Sequence, residues 1–277
     1  VGEEGHLVSH AHVVLADPDM KGQLPRVKGL KYVYDPSRLP TDEGFLVLGL
    51  ASRLEINQSR LTEPKRANVQ IYLVMLDTEP QYVQISRHAT GWQPPALLHP
   101  SIEVLHRVLR AWALEAEDKL VATAGIRAGN LHVRDCQLHE LTVPIRDIGP
   151  LRHLPQAQLY DFEVSDSGSF IWWPEPDVHL TLDDVRYFVD PAHRQRVEAE
   201  KAEYDARYGA AIASLRKQTR LRQADIGGVT ERQVRRIEHG RSTPRSETLK
   251  KLAAAHEMAF ADYLSALANL ASPAEFD

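Results

Sequence analysis

Residues 208–251 constrain the fold of this chain more than any other stretch, because apolar residues recur there at helical spacing but never run far before a break. Ile212 and Leu215 lie three apart, as do Val234 and Ile237, while Gly227, Gly228, Gly240 and Pro244 punctuate the intervals. Spacings of three and four put side chains on one helix face, glycine supplies a C-terminal stop, and proline prevents continuation. The pattern predicts helices over roughly 209–219, from near 223, and over 230–239, 247–256 and 260–267. Ala224 and Ile226 should be buried by the second, Leu249 and Leu252 by the fourth. Each stripe is too narrow to form a core alone, so the helices must share one. Thr230 is placed to cap the third helix, with Val229 as the staple before it and Gln233 reaching back in a capping box. Arg232, Gln233, Arg235 and Arg236 then spread over the face that Val234 and Ile237 do not use.

Charge separates along the chain. The net charge is -5, yet residues 208–251 hold eleven Lys/Arg against four Asp/Glu, which is +7. Residues 252–277 hold four acids and no Lys/Arg, leaving -8 for the first 207. A local positive potential attracts a phosphate backbone, while an acidic remainder limits indiscriminate contact. Arginine can pair bidentately with guanine edges and glutamine with adenine, so a helix carrying both suits the major groove.

The order of Ile212, Leu215, Arg216, Leu221, Gln223, Val229, Thr230, Val234, Ile237, Glu238, Gly240, Pro244, Leu249, Leu252 and Ala253 resembles the phage-repressor (Cro/C1-type, xenobiotic-response-element) helix-turn-helix family. The resemblance implies an all-α, five-helix domain over 208–270 that binds double-stranded DNA with helix 230–239 in the major groove. It assigns base contacts to Arg232, Gln233, Arg236 and Gln223. Phosphate contacts fall to Arg216, Lys217, Arg220, Arg222, Arg235 and Arg241. Glu238 is expected to partner an arginine structurally. Two departures stand out: the turn at Gly227 and Gly228 is shorter than the family's, and Arg222 replaces a Ser or Thr cap.

Upstream, the expected class is α+β. An α+β domain over 1–125 is read from strands at 12–15, 45–51 and 69–76, a strand at 82–86 reached by a hairpin at 77–81, and a helix over 101–118 capped by Ser101. His6, His10 and His12 are read as surface histidines, without cysteine partners for a metal. No phosphate-cradling loop, nucleophile elbow, paired cysteine ligands or zinc-binding helix motif is found, so no catalytic residue, metal or cofactor is assigned. A second, mostly β domain over 126–191 is read from segments at 131–136, 138–143, 160–164 and 169–173, a hairpin turn at 165–168 and an amphipathic piece at 182–188. Alternation puts Trp172 and Trp173 on opposite faces, so at least one belongs to the core. This region resembles a small bacterial domain family with a Trp-Pro-Asn-Gly-x-Asp signature, similar to toxin-antitoxin-associated components; Trp173, Pro174 and Asp177 carry the likeness. Residues 192–207, rich in helix formers and alternating charges but sparse in apolar positions, read as a solvated linker helix, with a dimerising helix as the alternative.

One cysteine, Cys136, excludes an intrachain disulfide. No apolar run is long enough for a bilayer, and the opening residues lack a signal peptide's pattern, so a cytoplasmic protein is expected. The function expected is a sequence-specific transcriptional repressor acting as a homodimer, with residues 1–191 free to bind a protein partner or small effector. The alternatives are an antitoxin-like protein that regulates its own operon, and a DNA-tethered enzyme.

Overall fold

The computed structural model describes residues 11–53, 61, 63–77 and 94–271. It divides into two compact units, Val1–Val189 and Asp190–Asp277.

The first unit opens with β1 His12–Ala16, β2 Leu30–Val33, β3 Phe45–Leu50, α1 Glu63–Ala67, β4 Val69–Met75, β5 Ala96–His99 and α2 Ile102–Ala113. The strands form a five-stranded sheet in the order β2-β1-β3-β4-β5, and every pairing is parallel. A parallel sheet is covered on both faces, which explains why β3 and β4 are nearly continuous apolar runs. In β3, Leu46 and Leu48 face the side where α2 packs through Leu105, Val108, Leu109 and Trp112, while Phe45 and Val47 join Leu15, Tyr72 and Val74 on the other. The expected strand at 82–86 and the turn leading to it lie outside the described residues, as do His6 and His10. His12 is half-buried, its ring edge-on to Trp112 with centroids 5.4 Å apart.

Ser101 does not cap α2 as expected: its hydroxyl donates to Glu103 Oε2 at 2.6 Å. The helix also stops earlier than 118. Glu115 takes a φ of 52°, and the amide of Ala116 donates to the Ala111 carbonyl at 2.9 Å, a left-handed closure of the helix end.

Two small antiparallel sheets follow. β6 Val121–Arg127, β7 Asn130–Asp135 and β8 Glu140–Pro144 form the first. Ala128 and Gly129 both have positive φ between β6 and β7, as a tight hairpin requires. After α3 Gln156–Tyr160 come β9 Glu163–Val164, β10 Ile171–Trp173 and β11 Val178–Leu180, ordered β11-β10-β9, and then α4 Leu182–Val189. Trp173 is fully buried and its indole N–H donates to the Leu159 carbonyl at 2.9 Å, while Trp172 is only half-buried. Pro174 and Asp177 shape the β10–β11 turn, with Asp177 at a φ of 50°.

The stretch from 126, expected as a separate domain, is tied to α2. The buried Arg107 donates to the Ala122 carbonyl at 2.7 Å and the Val164 carbonyl at 3.3 Å, and Cys136 and Leu138 pack into the α2 core.

The second unit is helical: α5 Pro191–Gln218, a 3-10 turn Gln223–Asp225, α6 Glu231–Glu238, α7 Ser246–Ala255 and α8 Phe260–Ala271. The linker helix and the first helix of the reader, expected as separate pieces, are one continuous helix. Asp190 caps its start, accepting from the amides of Ala192 at 2.9 Å and His193 at 3.1 Å. Gly209, the expected start of the reader's first helix, sits within it, although glycine disfavours a helix interior. It is there for space: a Cβ would stand 2.3 Å from the Ile237 carbonyl oxygen. No helix among the described residues is long and apolar enough to cross a membrane.

Candidate nucleic-acid interface

The core of the second unit holds α6 by one side. Val234 and Ile237 are buried with Ile212, Leu215, Ile226, Leu252, Tyr263 and Leu267. Thr230 caps α6, its hydroxyl accepting from the Gln233 amide at 3.3 Å. Gly240 closes the other end at a φ of 66°; the Arg241 amide donates to the Arg236 carbonyl at 2.8 Å. A Cβ on Gly240 would approach the Ala206 backbone to 2.7 Å, so α5 packs closely over this stop.

With Val234 and Ile237 inward, a rotation of about 100° per residue puts Arg232 on the opposite side, Arg235 and Arg236 about equally far to either side of it, and Gln233 on a flank nearer the core. All four side chains are exposed. Short, capped at both ends and anchored by two buried residues, α6 holds its backbone in place under a guanidinium-rich surface. Such a surface can hydrogen-bond base edges and phosphates.

Beneath it lies a polar knot. The Glu238 carboxylate is 6% exposed and the Arg216 side chain 11%. Arg216 Nε donates to Glu238 Oε1 at 2.5 Å and its Nη2 to Oε2 at 3.0 Å, while Nη1 reaches the Leu221 carbonyl at 2.7 Å. Gln223 Nε2 donates to Glu238 Oε2 at 2.6 Å. Burial works against the carboxylate's charge, but the hydrogen bonds from Arg216 and Gln223 outweigh it and hold its pKa below the ordinary value. The same bond raises the Arg216 pKa. Glu238 therefore clamps α5, the 3-10 turn and α6 together.

Two residues expected to contact DNA are held in this knot. Arg216, assigned to a phosphate, is an interior ion-pair partner. Gln223, assigned to a base, is half-buried with its amide committed to Glu238. Spacing along the sequence could not show that both converge on one carboxylate.

Arg222 is exposed, and its guanidinium pairs with Asp225 Oδ1 at 2.8 Å while its own amide donates to Asp225 Oδ2 at 2.8 Å. Asp225 thereby satisfies the amide of Arg222, while the Asp225 amide donates to the Arg222 carbonyl at 3.1 Å, so the turn starts without the side-chain cap that a Ser or Thr at 222 would supply. The second helix is reduced to one 3-10 turn, and of its two expected core residues Ile226 is buried while Ala224 is exposed. Lys217, Arg220 and Arg241 are exposed as expected, Arg220 with a φ of 59° just past the end of α5. Lys251, which sequence reasoning passed over, donates to the Gly228 carbonyl at 3.1 Å and so steadies the short turn before α6. Nothing local in the sequence links residues so far apart.

Residues 212–260 match the helix-turn-helix family model. No curated protein and no solved structure matches the chain.

Proposed function

We propose, from a helix-turn-helix domain over residues 212–260 as the premise, that this DNA-binding transcription regulator is a repressor that reads the major groove with α6. The observation that carries the reading is the exposed Arg232, Gln233, Arg235 and Arg236 on a helix whose opposite side is locked into the core. Arg232, Arg236 and Gln233 take the base edges; Arg235, Lys217, Arg220, Arg222 and Arg241 meet phosphates. One such domain reads a half-site, so the working form is a homodimer on a two-fold operator. Binding to the DNA upstream of its own gene, measured across a salt series, tests this. A steep salt slope with a large preference over random DNA supports it, and equal affinity for both refutes it.

A second reading, partner binding with autoregulation of the operon, draws on the first unit. Trp172 stacks on His179 with centroids 5.9 Å apart, and Phe170 meets the same imidazole edge-on at 4.9 Å. This aromatic group, half open to solvent, suits an apolar partner side chain or a planar effector. The first unit is then a sensing or partner-binding module, without a catalytic role.

A further inference from the structure

α5 changes character halfway along. Its C-terminal half buries Gly209, Ala211, Ile212 and Leu215, whereas every residue from 195 to 204 is exposed. Helices in proteins gain most of their stability from packing one face, and this segment has no buried face of its own. Val197 and Tyr204 are nevertheless large apolar residues, 37% and 54% exposed. They lie seven residues apart, two turns along one stripe.

The charges beside that stripe are ordered. Arg194 and Arg196 come first, then Glu198, Glu200, Glu203 and Asp205, with Lys201 among them. On the helix surface Arg194, Glu198, Lys201 and Asp205 flank the stripe on one side, and Arg196, Glu200 and Glu203 on the other. When two such helices pair, the flanking positions of one face those of its partner, and direction decides which charges meet. A parallel pair sets Arg196 near the partner's Lys201 and Glu200 near the partner's Asp205, like against like. An antiparallel pair centred near residue 200 sets Val197 against the partner's Tyr204. It also brings Arg196 to the partner's Glu203, Arg194 to the partner's Asp205 and Glu198 to the partner's Lys201.

We propose that two copies of this chain associate through antiparallel pairing of the exposed segment of α5. Within one chain Lys201 already donates to Asp205 at 2.6 Å, and Asp205 accepts from Thr243 at 3.1 Å. Arg196 and Glu203 have looser exposed contacts, to His193 at 3.3 Å and Arg207 at 3.9 Å, and Arg196 also acts on Asp190 electrostatically. The Arg196–Glu203 pair, formed twice in the dimer, is therefore the sharper probe. The contact is three to four helical turns long and centres on two apolar residues from each copy, Val197 and Tyr204. The proposal rests on the DNA reading only for its consequence, joint occupancy of two half-sites; the association itself needs no DNA.

The test is sedimentation equilibrium on the full chain without DNA, from about 1 to about 100 μM, a range over which dissociation constants of that order are read directly. Arg196→Glu alone and Glu203→Arg alone should each weaken dimerisation by about tenfold or more, by setting like charges together twice per dimer. The combined Arg196→Glu, Glu203→Arg variant should return to about the wild-type constant, since the swap restores both pairs. Both positions are exposed, and circular dichroism checks that each variant keeps its helices. A monomeric wild type, a dimer indifferent to both single changes, or a double variant weaker than either single overturns the proposal. A chain that dimerises in this way but shows no DNA preference sinks the DNA reading alone; a monomer with intact preference sinks this interface alone.

Discussion

Replacing Glu238 by alanine tests whether the second unit is held by a buried ion pair or only by its apolar core. The substitution leaves the Arg216 guanidinium, 11% exposed, without its carboxylate, and leaves the Gln223 amide without its acceptor. Removing one member of a buried pair costs about 3–5 kcal/mol, because the surviving charge stays desolvated. For a domain of this size each kcal/mol lowers Tm by about 4–8 °C, so a loss of 3 kcal/mol lowers it by roughly 12–24 °C. Thermal and urea unfolding of the full chain, followed by the transition of the helical unit, would measure this. Arg216→Met alone should also destabilise. The double variant Arg216→Met, Glu238→Leu should recover most of the loss, since apolar residues of similar volume often replace a buried pair at little cost. With Glu238→Leu also measured alone, losses of the two singles that simply add in the double variant would show that the two residues contribute separately, against a buried pair. The pH dependence gives a further check. Glu238 in the folded state ionises below the ordinary carboxylate value of 4.5. Its stabilisation is thus complete above that value and is lost as pH falls through the lower folded value. Glu238→Gln should flatten that part of the stability profile.

Arg232→Ala or Arg236→Ala should each cost about 1–3 kcal/mol on the operator and relax specificity at one base position, read by competition binding against random DNA; equal losses on both DNAs would show a phosphate role instead. Gly209→Ala should destabilise by about 1–3 kcal/mol despite alanine's higher helix propensity, because its methyl would meet the Ile237 carbonyl at 2.3 Å; a rise in Tm would show that the two helices can separate cheaply. Burial, reinforced by Arg216, holds the His256 pKa below its ordinary 6.5, and Thr219 is its hydrogen-bond partner at 3.1 Å. Its contribution is present above pH 6.5 and is lost as pH falls through the lower folded value, so His256→Phe should remove that share of the acid sensitivity seen in melts. Trp173→Ala should cost about 3–5 kcal/mol in unfolding of the first unit, whereas Trp172→Ala should cost far less.

The helix-turn-helix region was legible from the residues alone, because its signals are local. Apolar spacing, Thr230 as a cap and Gly240 as a stop depend on neighbours within a few residues, and they located α6 and its exposed arginines. The strands at 12–16, 45–50 and 69–75 were legible for the same reason: continuous apolar runs bounded by turn residues. How those strands pair emerges only in the folded sheet. Parallel neighbours are joined through long connections, and periodicity within a strand carries no information about its partner. The fate of Arg216 and Gln223 was likewise decided by distance in space. A carboxylate placed on α6 draws a guanidinium from α5 and an amide from the 3-10 turn, and a buried charge takes such partners before solvent or DNA can. Gly209 is the converse case: in sequence it reads as a helix boundary, but in the fold it is the gap through which α5 meets the end of α6.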